Sequence, residues 1–198
     1  MTSDTGYIHA LRFSSLTVLY DPVVSWTTRE QTFKSALLDG AALEPGQRVL
    51  DVGCGTGTLA CMAAQRVPGV EMYGLDGDQS MLDRARRKAA ERAVAIRFTH
   101  GMSFHLPFPD GYFDSVLSSL FFHHLNPDAK HRTLAEILRI LKPGGRLHVA
   151  DWGAAQDVLM RVAYLGIQLL DGFGTTQDSV RGRLPGMMEQ AGFHSVCI

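Results

Sequence analysis

An apolar run that ends in three alternating glycines constrains this chain more than any other feature. VLDVGCGTGTLA, from Val49 to Ala60, places Gly53, Gly55 and Gly57 directly behind a β-type stretch, with Cys54 between the first two. Glycine there admits positive φ and lets a ligand approach main-chain N–H groups without a Cβ in the way. A tight turn that needs only small residues would use the same pattern. The dinucleotide fingerprint GxGxxG has its third glycine one place later than Gly57. No GK[ST] follows, which excludes a P-loop. Asp51 stands two residues before Gly53, at the end of the strand. Its carboxylate can neutralise an ammonium and would repel a pyrophosphate. The turn favours a ligand that carries positive charge.

Short apolar runs then alternate with amphipathic stretches. Strands are expected at 48–52, 70–75, 94–98, 113–120 and 146–150, and helices at 59–66, 78–92 and 127–141. The second helix carries Met81, Leu82, Ala85 and Ala89 along one side. Pro127 suits a first helical turn, and Lys142-Pro143-Gly144-Gly145 ends that helix. This alternation means parallel βαβ units. The expected fold is α/β, a three-layer αβα sandwich on a Rossmann-like, mostly parallel sheet. Ligands in such sheets bind beyond the C-terminal strand ends, where the strand order reverses.

Residues 8–40 read as helix in one or two pieces, so 1–44 is expected to form an N-terminal helical lid and 45–198 the main domain. After the fifth strand, 158–170 is strongly apolar and 179–191 reads as helix. Residues 193–198 read as the start of a further strand, so a C-terminal hairpin is expected to be missing or incomplete.

Composition excludes several classes. Nineteen basic against twenty acidic side chains leave a net charge of −1, which argues against nucleic-acid binding. Cys54, Cys61 and Cys197 form no CxxC pair, so neither a disulfide framework nor a zinc knuckle is expected, and a reducing, cytoplasmic setting fits. No run reaches the roughly 18 apolar residues of a membrane span. The nearest, 158–170, contains Arg161 and Gln168.

Asp76 closes the second strand in YGLDGD, 19 residues after Gly57, where a carboxylate can accept hydrogen bonds from both hydroxyls of a ribose. Asp78 is expected to cap the following helix. With these residues in place, the chain resembles the class I S-adenosylmethionine-dependent methyltransferases, in the small-molecule branch of the ubiquinone/menaquinone biosynthesis enzymes. VLDVGCGTG (49–57), GLDGD (74–78), LPFPDGYFDSVLSSLFFHHL (106–125) and LKPGGRLHVAD (141–151) carry the resemblance. It implies S-adenosyl-L-methionine as cofactor, its methionine part over Gly53, Cys54, Gly55 and Gly57 with Asp51 near its amino group, and its ribose on Asp76. Gly77 stands where the family often places a residue against the adenine, so Met81 is expected to contribute stacking. The family commonly has Gly-Asp after the third strand, whereas this chain has Gly101-Met102. Met102 cannot accept a strong hydrogen bond, so the adenine relies on apolar contact and on Ser103. Ser118, near the end of the fourth strand, completes the implied set.

The activated methyl needs a nucleophile held in line behind it, and a base only if the acceptor starts protonated. His123 and His124, after the fourth strand, are the polar candidates facing an acceptor. Adjacent residues diverge, so one is expected inward while the other caps the helix at Pro127 or lies on the surface; both can equally be packing residues. Asp151, ending the fifth strand, can orient a base or bond to backbone. Tyr20 in the lid and the apolar stretch 159–170 are expected to cover the acceptor. No metal site is expected, because two neighbouring histidines lack further ligands. The expected activity is methyl transfer to a small, apolar or aromatic acceptor. A non-catalytic S-adenosylmethionine or S-adenosylhomocysteine sensor is the alternative.

Overall fold

A computed structural model describes residues 30–151 and 182–197. Tyr20 and the apolar stretch 158–170 lie outside the described residues. Helix α1 (Glu30–Ala41) precedes β1 (Arg48–Val52), α2 (Thr58–Arg66), β2 (Glu71–Asp76), α3 (Gln79–Glu91) and β3 (Ile96–His100). Strand β4 (Phe113–Ser119), helix α4 (Pro127–Ile140), strand β5 (Leu141–Ala150) and helix α5 (Leu184–Gln190) follow. The five strands form one sheet in the order β3-β2-β1-β4-β5, and every pair is parallel. The order reverses between β1 and β4, so the crevice of the sheet opens at their C-terminal ends.

The period of two along each strand divides the core into two layers. Leu50, Val52, Tyr73, Leu75 and Val116 face α4 and α5, packing with Leu134, Ile137 and Met187. Val49, Met72 and Leu117 face the other way, against Leu38 and Ala41 of α1 and Leu59, Ala60 and Ala63 of α2. Both faces are covered, which is why the strands read as nearly unbroken apolar runs. Asp51, two residues after Val49, shares the face covered by α1 and α2. The helix expected before residue 45 is thus part of the cover of the sheet.

Local capping follows the sequence closely. The Asp78 side chain accepts from the Ser80 N–H at 2.8 Å and caps α3. Asn126 accepts from the Ala129 N–H at 2.8 Å, with Pro127 in the first turn of α4. Neither His123 nor His124 caps that helix, because Asn126 already does.

Three details differ from expectation. Strand β3 starts two residues late: Ala93 takes φ 52, and the Val94 N–H closes on the Ala89 carbonyl at 3.0 Å. Strand β5 starts at Leu141, where Phe113 pairs with Leu141 but Ser115 pairs with Arg146. The residues between 141 and 146 therefore bulge out of register, and Lys142 Nζ holds Asp114 at 2.6 Å. Residues 193–197 form no strand, since Ser195 at φ 58 interrupts an extended backbone. No helix among the described residues is long and apolar enough to cross a membrane.

Candidate functional site

The glycine turn leaves β1 at the crevice. Gly53 and Cys54 both donate their N–H groups to the Leu75 carbonyl, at 2.9 and 3.0 Å, which ties the turn to β2. Its glycines answer different demands. At Gly53, φ 70, an added Cβ would lie 2.1 Å from the Phe121 ring, so this position is closed by packing. At Gly57 it would meet Ala85 and Phe98 at 3.0 and 3.2 Å, which reflects close approach of α2 to α3. At Gly55, φ 51, it would meet nothing within 4 Å. Only Gly55 presents backbone to open space. The Cys54 thiol is buried toward Gly74, and burial pushes its pKa up, so this residue contributes main chain alone.

Asp51 is the anomaly of the core. It is 1% exposed, and neither carboxylate oxygen makes a well-formed hydrogen bond, the Ala60 amide acting on it only weakly. Burial, only partly opposed by the Lys34 ammonium, pushes its pKa from the ordinary 3.8 to about 7, and the Asp76 charge adds to the rise. A buried acid without well-formed hydrogen bonds is costly, and a cation in the crevice would relieve that cost.

Asp76 ends β2 on the other side of the turn. One carboxylate oxygen accepts from the Gly55 N–H at 2.8 Å and the other from the Asp78 N–H at 2.9 Å. Each oxygen keeps further acceptor capacity. Burial raises its pKa, while these amides pull it back. Asp76, Gly77, Met102, Ser103, Phe104 and Phe121 line one cleft together with Gly53. The free space there is about 10 Å³, enclosed mainly by apolar walls. Ser103 spends its hydroxyl on Thr133 Oγ1 at 2.8 Å, leaving its backbone for a ligand. Gly77 is anchored through its carbonyl to His100 Nε2 at 3.0 Å. Met81 is buried on α3 and does not line this cleft. Ser118 is fully buried and donates to the Val52 carbonyl at 3.1 Å. Its hydroxyl stitches β4 to β1 beneath the turn.

Beyond β4, Leu120 takes φ 52 and the chain enters a 3₁₀ turn over Phe122–His124. Here the structure joins two residues from separate elements. His123 Nδ1 meets Asp151 Oδ1 at 2.7 Å, and the His123 N–H donates to Asp151 Oδ2 at 3.2 Å. Both side chains are buried, at 6% and 4% exposure. The two histidine rings do not diverge: the tight turn brings their centroids to 4.0 Å, with the planes tilted by 43°. Burial, and then the neighbouring His123, lower the His124 pKa to about 3, against a smaller opposing pull from Asp151. His124 is a neutral and weakly basic ring, and of the two only His123 is oriented by a carboxylate. Asp151 lies directly beside His123, where it orients the ring rather than bonding to backbone alone.

Two participants escaped the sequence reading. Phe121 carries no signal beyond its place in an aromatic pair, and its contact with Gly53 depends on how β4 meets β1. Lys34 is one basic residue on a helix, and its 8% exposure depends on where α1 lands. A groove of about 450 Å³ beside Arg86 and Arg97 sits at the N-terminal ends of β2 and β3 and shares no residue with this constellation.

Two buried carboxylates around an open glycine backbone fit a ligand with a cationic amino-acid end and a ribose. Residues 49–145 match the Methyltransferase domain family. The chain is similar to the demethylmenaquinone methyltransferase of Thermus thermophilus, 42% identical over 115 residues that cover 58% of this chain and 51% of that protein. It is also similar to the ubiquinone/menaquinone biosynthesis C-methyltransferase of Stutzerimonas stutzeri, 37% identical over 76% of this chain and 66% of that one. A putative methyltransferase solved in complex with the Haloferax volcanii Trm112 methyltransferase activator superposes with a TM-score of 0.69 at 26% identity, over 93% of this chain and 77% of that one. The chain spans about half to two thirds of the length of these curated relatives.

Proposed function

Because the chain belongs to the class I S-adenosylmethionine-dependent methyltransferases, related to the ubiquinone/menaquinone type, we propose that it transfers a methyl group from S-adenosylmethionine to a small apolar or aromatic acceptor. The observation that carries this reading is Asp51, a buried carboxylate with no well-formed hydrogen bond beside a glycine turn whose one open position is Gly55. The bound cofactor supplies an activated methyl on a sulfonium, so no covalent intermediate on the protein is needed.

Asp51 receives the ammonium, and the carboxylate oxygens of Asp76 accept the ribose hydroxyls while staying fixed by the Gly55 and Asp78 amides. Met102, Phe104 and Phe121 form the apolar walls around the base and exclude water from the crevice. Asp151 holds His123 through Nδ1, which makes Nε2 the basic atom of that ring. An acceptor that arrives as a phenol or enol can lose its proton to His123 as it becomes nucleophilic. This buried pair also favours an enzyme over a non-catalytic sensor, which has no use for an oriented base.

Incubation of the purified protein with labelled S-adenosylmethionine and a panel of quinols, phenols, amines and thiols tests the proposal. Label is expected in a phenolic or quinol acceptor. Tight S-adenosylhomocysteine binding with no transfer to any class of acceptor would favour the sensor.

A further inference from the structure

Asp51 can account for only half of an amino acid. An α-amino acid carries its carboxylate on the carbon that bears the ammonium, so a site that buries one charge must also accommodate the other. The described residues place one buried ammonium beside Asp51. Lys34 sits on the face of α1 that packs on the sheet, 8% exposed, and its charge acts on the Asp51 carboxyl. No hydrogen bond joins the two, since neither Asp51 oxygen makes a well-formed one. Lys34 is held instead by Glu30, one helical turn earlier.

We propose that Lys34 is the receptor for the carboxylate of the cofactor's amino-acid end, so that Lys34 and Asp51 together read the zwitterion. This rests on the assignment of S-adenosylmethionine to the crevice. The arrangement suits an exchange of partners. The Lys34–Glu30 pair is mostly buried, so the ammonium leaves Glu30 only for another anion, and a ligand carboxylate replaces one negative partner with another. Glu30 lies in the first turn of α1, where the helix dipole steadies its charge after release. Lys88, by comparison, is committed to the hydroxyls of Thr56 and Thr58 at 2.7 and 2.8 Å.

The assignment makes the protein selective for a cofactor with an intact amino-acid end. Calorimetry with two probes tests it. S-adenosylhomocysteine has both charges, and its decarboxylated analogue, S-adenosyl-3-thiopropylamine, keeps only the ammonium. Lys34→Met is expected to weaken S-adenosylhomocysteine by about 10- to 100-fold, the scale of a lost charge-assisted hydrogen bond, and to leave the analogue within about twofold. Because Lys34→Met strands Glu30, the double variant E30Q/K34M is measured alongside it and is expected to behave alike. Lys34→Arg is expected to retain most of the affinity. Equal weakening of both probes would overturn the proposal, since it would mean that Lys34 only supports the packing of α1. Unchanged affinity for S-adenosylhomocysteine in both variants would overturn it too. A wild-type protein that binds neither probe would remove the cofactor assignment itself, and the proposal with it.

Discussion

The C-terminal end of β1 differs from those of β4 and β5 in how it treats a buried acid. Asp51 makes no well-formed hydrogen bond, and burial pushes its pKa to about 7. Asp151, whose side chain is 4% exposed, gives both of its oxygens to His123. An acid left short of partners in a packed core marks a place where the partner arrives with a ligand. An acid satisfied by a neighbouring ring marks a device for holding that ring. On this account one half of the crevice binds and the other half positions.

The comparison breaks most clearly at Asp51. Asp51→Asn is expected to weaken S-adenosylhomocysteine by about 100-fold or more, because it strands a buried ammonium. The same substitution should stabilise the empty protein. A folded pKa near 7 lies above the ordinary 3.8, so the folded state holds this proton more tightly than the unfolded chain. The stability from that proton is fully present below about pH 4 and is lost as pH rises through 7, on the order of 1–4 kcal/mol. Thermal melts from pH 4 to pH 8 should show this loss in the wild type and not in D51N. A D51N protein with full affinity would collapse the distinction between the two halves.

His123→Ala should act in the opposite way, lowering methyl transfer by roughly 10²-fold with little change in S-adenosylhomocysteine affinity. His124→Ala is expected to cost less, since a ring with a pKa near 3 is a poor base. If H123A and H124A lost equal activity, the pairing with Asp151 would carry no catalytic meaning. Asp151→Asn sharpens the test, and its pH–rate profile should shift while cofactor affinity holds.

Asp76→Ala is expected to weaken S-adenosylhomocysteine by about 1–3 kcal/mol and to loosen the turn, because the Gly55 amide loses its acceptor. The smallest effect is expected at Ser118. Ser118→Ala removes one bond to the Val52 carbonyl and should cost about 1 kcal/mol of stability in denaturant melts, with binding unchanged. A large loss of cofactor affinity in S118A would return that hydroxyl to the binding half.

The elements of the proposed binding half were largely legible in the sequence, and those of the proposed positioning half only in pieces. Asp51, Gly55 and Asp76 lie within one βαβ stretch, where strand ends and turn chemistry are local, and the Asp78 cap is local as well. His123 and Asp151 stand 28 positions apart, and their contact is a product of β4 lying beside β5 in register. Ser118 shows the same limit. Its position near a strand end suggested the crevice, yet strand alternation turns its hydroxyl into the sheet. Lys34 and Phe121 gain their meaning only from where α1 and the turn after Leu120 come to rest. The bulge in β5 follows from the step between Phe113 and Ser115 in β4 being matched to that between Leu141 and Arg146 in β5, which neither strand reveals alone.

Proton release on cofactor binding tests the central claim most directly. Titration of S-adenosylhomocysteine at pH 7 in two buffers of different ionisation heat measures the protons exchanged. With Asp51 half-protonated when empty and ionised against an ammonium when bound, roughly half a proton should be released, and affinity should rise from pH 5 to pH 7 and then level. D51N should release none and bind weakly. Full affinity in D51N with the same proton release as the wild type would show that Asp51 is not the receptor for the ammonium.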